Sequence, residues 1–324
     1  MSPRLRIRLL VAGVAVVAAG LTVGITALTS RHEGGGAEAL KPRPGAPPLL
    51  LDLGVRLDPQ ARALRNAATL YNQGKRAAAE RIFVRYPTLD ARVGLAFSRW
   101  PNGSLSTVEG LVAANPRSAF ARLHLGLAYY WAGRGPDALA AWRAAVRVQP
   151  DTASAVHADD LLHPNFAQGL PVFVPTFAVP PAIARLSPPR QLAALEAAAR
   201  KPDARAKILY GIALQRLGKP LSAERLYAAA ARLAPRDAEA QVAAAVGLFS
   251  KQKPARAFSR LGPLTQRFPR AATVRFHLGL LLLWSGSLDP ARRQLQLAVG
   301  DDPNGPLGRE ARLLLERLKD VKGG

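Results

Sequence analysis

The chain has 324 residues, 45 Lys and Arg against 22 Asp and Glu, no Cys, and 49% hydrophobic residues. That length allows one elongated domain or two compact ones, and the hydrophobic fraction excludes a disordered polyelectrolyte despite a net charge of +23. Without Cys there is no disulfide framework, thiol nucleophile, Cys-ligated zinc or iron–sulfur cluster, and five scattered His leave little for metal chemistry.

Leu9 to Leu28 is a twenty-residue run with no charge and no Pro. At 1.5 Å per residue it spans about 30 Å, the hydrocarbon core of a bilayer. Arg4, Arg6 and Arg8 precede it, which predicts that the N-terminus stays in the cytoplasm. The apolar region of a cleaved signal peptide is shorter, so the expectation is an uncleaved, single-pass signal-anchor within residues 1–30. The chain is then expected in the cell membrane, with everything after the anchor extracytoplasmic. Residues 31–58 follow, with Gly34 to Gly36 and then Pro42, Pro44, Pro47 and Pro48. Such a Gly/Pro-rich linker builds neither a helix nor a central strand, and its composition predicts a semi-rigid polyproline II stalk.

From Asp58 onward the pattern is helical and repeats at a fixed period. Pro235, Pro269 and Pro303 are spaced by 34 residues, and so are Gly211, Ala245 and Gly279, and Ala223, Ala257 and Ala291. A period of 34 with two helices per unit signals a helical solenoid. Residues 119–152 carry Leu125, Gly126, Tyr129, Gly133, Ala138, Trp142, Ala145 and Pro150. Residues 204–237 carry Tyr210, Gly211, Leu214, Gly218, Ala223, Tyr227, Ala230 and Pro235, and residues 272–305 carry Leu278, Gly279, Leu282, Gly286, Ala291, Leu295, Ala298 and Pro303. This arrangement resembles the tetratricopeptide repeat family. The resemblance implies an all-α, right-handed superhelical solenoid of helix–turn–helix repeats, here preceded by one transmembrane helix. Its expected divisions are repeats over 59–152, a degenerate repeat over 153–203, three tandem repeats over 204–305, and a capping helix and tail over 306–324.

In that family the first helices line a concave, partner-binding groove. Carried over, the groove comprises Phe120, Leu123, Leu127, Tyr130 and Trp131, then Ile208 and Ile212, then Val246 and Phe249, then Phe276, Leu280 and Trp284. The surface so predicted is apolar and aromatic and lacks the Lys/Arg pairs that clamp a peptide carboxylate.

The register of repeats breaks over 153–203. Thr152 to His163 and Pro189 to Arg200 read as the two helices of one repeat, separated by a Pro-rich insertion, 164–186, with Phe173 and Phe177 among its apolar residues. Leaving these in water would forgo about 1.5–3 kcal/mol for each large side chain. The expectation is that the insertion folds back across the concave face near Tyr130 and Trp131.

None of the common nucleotide, hydrolase or zinc motifs occurs. In the cluster His157, Asp159, Asp160 and His163, the two His lie six residues apart and diverge on a helix, which suits a polar helix end better than a metal site. His124 and His277 occupy the same place in two repeats, each followed by Leu-Gly, and recurrence there favours packing over catalysis. The expectation is therefore no catalytic residue, no metal and no cofactor. The function read from the chain is a membrane-anchored scaffold that binds a protein or peptide partner through an apolar groove. The alternative is a basic module holding anionic envelope polymers or lipid headgroups through Arg143, Arg147, Arg225, Arg232, Arg256, Arg260, Arg292 and Arg293. Nucleic acid is disfavoured, because the aromatics do not interleave with these cations as a stacking platform requires.

Overall fold

Side-chain caps mark where many of the first helices begin. Asp58, Ser118, Asp203 and Asp237 each accept backbone N–H groups of the first turn that follows, at 2.8–3.2 Å. Those N–H groups have no partner inside the helix, so a short oxygen-bearing side chain before an apolar periodic run fixes the helix start. The computed structural model describes residues 42–319. The run 9–28, the start of the linker and the last five residues lie outside the described residues. Among the described residues no helix is long and apolar enough to cross a membrane, and no strand forms.

The described chain divides into two compact units, the first ending at Leu162 and the second beginning at His163. The first unit holds α1 (Pro59–Asn72), α2 (Arg76–Phe83), α3 (Leu89–Ser98), α4 (Ser104–Ala114), α5 (Ala119–Trp131), α6 (Gly135–Val148) and α7 (Ala153–Leu162). The second holds α8 (Pro181–Ala184), α9 (Pro188–Ala199), α10 (Ala204–Arg216), α11 (Pro220–Leu233), α12 (Ala238–Gly247), α13 (Ala255–Leu261), α14 (Leu264–Arg267), α15 (Ala272–Trp284), α16 (Leu288–Asp301) and α17 (Pro306–Leu318). Helices pair as α1/α2, α3/α4 and α5/α6 in the first unit. In the second, α10/α11 and α15/α16 pair in the same way, α12 takes α13 and α14 as its partners, and α17 closes the stack on α16.

Expectation and structure part company at 153–203. The boundary between the units falls inside the expected degenerate repeat: within its own unit α7 packs on α5 and α6, and within the other α9 packs on α10.

Within each unit, first helices touch directly: α1 on α3, α3 on α5, α10 on α12, and α12 on α15. They therefore form the inner face of each stack. The seams between neighbouring helices follow from residue size. Gly126 faces Trp142, Gly211 faces Tyr227, Gly94 faces Phe83 and Gly279 faces Leu295, and a Cβ added at these glycines would lie 2.3, 2.4, 2.6 and 2.9 Å from the opposing side chain. Trp142, Tyr227, Phe83 and Leu295 are completely buried. The close approach of small against large gives the core its packing density.

Candidate functional site

Each inner face holds an extended segment of the chain itself. In the first unit this is residues 43–50, within the stretch whose composition suggests a free stalk. Pro44, Pro47 and Pro48 have no N–H, so the segment forms neither helix nor ladder, and its remaining donors must find partners elsewhere. Those of Arg43, Leu49 and Leu50 find them on the inner helices. Arg43 donates its N–H to the carbonyl of Trp131 at 2.8 Å, an acceptor left open because it lies at the end of α5. Leu49 donates to Asn72 Oδ1 at 3.1 Å, and Asn72 Nδ2 returns a bond to the Leu49 carbonyl at 2.9 Å. The Tyr71 hydroxyl donates to the Pro47 carbonyl. Leu50 donates its N–H to His124 Nε2 at 3.1 Å. The Arg43 guanidinium lies 4.1 Å from the Tyr130 ring centroid and also donates to the Tyr130 hydroxyl.

In the second unit the segment is residues 167–174. Ala167 donates to the Trp284 carbonyl at 3.2 Å, and Phe173 donates to Gln215 Oε1 at 3.0 Å. Gln215 Nε2 donates to the Pro171 carbonyl at 3.2 Å. Val174 donates to His277 Nε2 at 2.9 Å, and two residues further on Thr176 donates to Glu239 Oε1 at 2.6 Å. The Phe173 ring stacks on the His277 imidazole, 4.5 Å between centroids and 13° from parallel, and Phe173 is completely buried. Phe177 is half-buried beneath the Arg205 guanidinium.

The two histidines are fixed in one neutral form. His124 Nδ1 lies 2.8 Å from the Phe120 carbonyl, and His277 Nδ1 lies 2.7 Å from the Thr273 carbonyl. A carbonyl only accepts, so Nδ1 carries the hydrogen and Nε2 keeps its lone pair for the incoming N–H. Both rings are completely buried, and burial lowers their pKa from 6.5 to about 4. The imidazole acts here as a hydrogen-bond acceptor for a peptide backbone.

Leu123, Leu127, Tyr130, Ile208, Ile212, Val246, Phe249, Phe276, Leu280 and Trp284 are all buried, while Phe120 and Trp131 are half-buried. In the second unit Ile208, Ile212, Val246, Phe249, Phe276, Leu280 and Trp284 belong to one core cluster with Phe173, and Phe177 packs against it. In the first unit Tyr130 and Trp131 meet Arg43, and the Phe120 ring lies 4.3 Å from His124. Two expectations are corrected. The insertion packs on Gln215, Tyr227 and His277 of its own unit, not on Tyr130 and Trp131. Residues 43–50 do not stand off as a semi-rigid stalk, because Pro47 and Leu49 are buried and bonded to α1, and Arg43 and Leu50 are bonded to α5.

Of the polar residues that grip the segments, sequence reasoning missed Tyr71, Asn72 and Glu239 and read His124 and His277 as packing, while Gln215 lies on the first helix expected to line the groove. The signal lay in RLHLGL and RFHLGL, which repeat a His beside the helix–helix contact glycine. In the polar cluster of α7, His157 Nδ1 lies 3.8 Å from Asp160 Oδ2, and no group of residues suited to a metal occurs among the described residues. Some of the basic residues on the second helices are engaged internally: Arg256 with Glu224, Arg292 with Asp289, and Arg260 with Gln241.

No family model matches the chain, and no curated sequence does. Among solved structures, YrrB, a TPR protein with an unusual peptide-binding site, is 16% identical, with 64% of this chain and 98% of that one covered and a TM-score of 0.32. A tetratricopeptide repeat protein from Parabacteroides merdae is 14% identical, covering 80% of this chain and 98% of that one at a TM-score of 0.34. The TPR2AB domain of yeast Sti1, seen in a complex with an Hsp90 peptide, is 14% identical, covering 80% and 97% at a TM-score of 0.30. With superpositions this loose, the fold rests on the helix pairs themselves. Each unit is a stack of tetratricopeptide-like helix pairs.

Proposed function

We propose that the chain is a protein-interaction scaffold whose two helical units hold extended peptide segments on their inner faces. One observation carries this reading: buried side chains on the inner helices are committed to main-chain groups of an extended segment. His124 and His277 take N–H groups, and Asn72 and Gln215 each bind both an N–H and a carbonyl. Main-chain bonding gives affinity for an extended ligand, while the alternate buried side chains give selectivity. Membrane attachment through residues 9–28, with the helical units on the extracytoplasmic side, is part of the proposal and is motivated by the apolar run and its preceding arginines.

The test is crosslinking in intact cells followed by capture at low and high salt. Proteins held by apolar, main-chain-directed contacts are retained as salt rises, whereas capture through the arginine-rich surface is screened away. Loss of every captured protein at high salt contradicts the scaffold reading. Fusion of a reporter active only outside the cytoplasm to the C-terminal end tests the orientation, and an inactive fusion overturns it.

A further inference from the structure

The two bound segments share their end anchors and the residue types at their third, fifth and seventh positions. In each, the first N–H goes to the carbonyl of a helix-ending tryptophan, Trp131 or Trp284, and the N–H seven residues later goes to a buried histidine, His124 or His277. Between those anchors the pattern repeats. The third residue is Gly45 or Gly169, with φ of +78° and +69°, a backbone conformation that other residues adopt only under strain. The fifth is Pro47 or Pro171, buried, its carbonyl bonded by Tyr71 or Gln215. The seventh is Leu49 or Phe173, buried at 2% and 0% exposure. The sixth and eighth are half-buried in both.

The receiving residues match as well. Tyr71 lies four residues after the buried Ala67, and Gln215 four after Gly211, which faces Tyr227; the seventh N–H goes to Asn72 in the first unit and to Gln215 in the second. Trp131 and Trp284 each lie seven residues after their histidine. Where the units differ, the rings compensate: Phe97 of α3 sits 5.5 Å from His124 above a Leu-bearing segment, whereas in the second unit the segment's own Phe173 covers His277.

We infer that the two units are duplicate receptors for one class of ligand, an extended peptide with Gly third, Pro fifth and a large apolar residue seventh, read in a single register between a tryptophan carbonyl and a histidine Nε2. This deepens the peptide-scaffold reading and rests on it. A partner that enters either groove presents that motif and displaces the resident segment, and the two grooves accept each other's segments. A one-residue slip turns the buried fifth and seventh side chains outward, because alternate residues of an extended chain face opposite sides.

The test uses the full chain with the 167–174 sequence installed at 43–50, once in matched register and once displaced by one residue. Amide exchange is followed over the exchanged segment. The matched chain retains protection within about tenfold of the natural one, and the displaced chain loses it by a hundredfold or more while the helices stay protected. Equal protection in both chains, or none in either with the helices intact, overturns the inference. Should an exchanged chain fail to fold, Leu49→Ala and Phe173→Ala loosen each resident segment, and a fluorescein-labelled peptide of sequence 165–177 is titrated onto each. Binding to both within tenfold, abolished when Gly and Pro of the peptide are interchanged, supports the inference; binding to only one variant, or to neither, refutes it. Failure of these arms with partners still captured in cells leaves the scaffold reading standing. Success with no partner captured supports the duplicate register and removes the scaffold role.

Discussion

Acid weakens the docking of both segments through His124 and His277. An unfolded histidine takes a proton with a pKa of 6.5, whereas burial in the folded chain lowers each to about 4. Between those values unfolding takes up protons, so the stability associated with each neutral ring is fully present above about pH 6.5. It declines as pH falls through the window and is gone below about pH 4. At 1.36 kcal/mol per unit, each histidine accounts for about 3 kcal/mol across the window, and about 2 kcal/mol of that has gone by pH 5. Glu239 and Asp90, whose carboxyls burial pushes up, act in the opposite sense in acid. Their contribution is removed by comparing urea unfolding of the natural chain with a His124→Gln, His277→Gln double variant at pH 7.5 and pH 5. The Gln oxygen accepts the same N–H but does not titrate. The natural chain loses several kcal/mol more than the variant over this interval. Equal losses would refute the argument that the rings are held neutral to receive the Leu50 and Val174 amides.

Replacing Phe173 by Ala removes a completely buried ring from Tyr227 and His277 and costs about 3 kcal/mol of docking, read as rapid protease cleavage within 167–177 while helical circular dichroism persists. Phe177→Ala, at a half-buried position, changes cleavage little. Gly126→Ala forces a methyl to within 2.3 Å of Trp142 and destabilises the first unit by about 1–3 kcal/mol in urea melts, whereas Gly110→Ala, with open space around it, does not. Asn72→Ala strands both main-chain groups of Leu49 and costs about 1–3 kcal/mol, visible as faster amide exchange at Leu49.

The helix pairs were legible because their determinants are local and periodic: small residues at a 34-residue spacing in Gly211, Ala245 and Gly279, large partners such as Trp142 and Tyr227, and capping residues such as Asp203 and Asp237. Burial of Leu123, Ile208 and Val246 makes these expected groove residues floor and core, not open surface. What covers that floor was harder to read. Pro44, Pro47 and Pro48 speak only for an extended backbone, and nothing local distinguishes an extended chain in water from one held in a groove. The partners lie far along the sequence: Leu50 meets a residue 74 positions away, and Val174 one 103 positions away. The recurrence of His124 and His277 was visible, but packing explained it as well as hydrogen bonding until an N–H was found on each Nε2.

Amide hydrogen exchange at Leu50 and Val174 in the natural full chain tests the central claim most directly. The claim is that both inner faces are occupied by the chain's own segments, with these two N–H groups bonded to buried imidazoles. At pH 7 both amides exchange at least a hundredfold more slowly than an unstructured peptide of the same sequence, and His124→Leu and His277→Leu each speed only the amide in their own unit. Exchange of both amides at the unstructured rate, with the helices protected, would contradict the account.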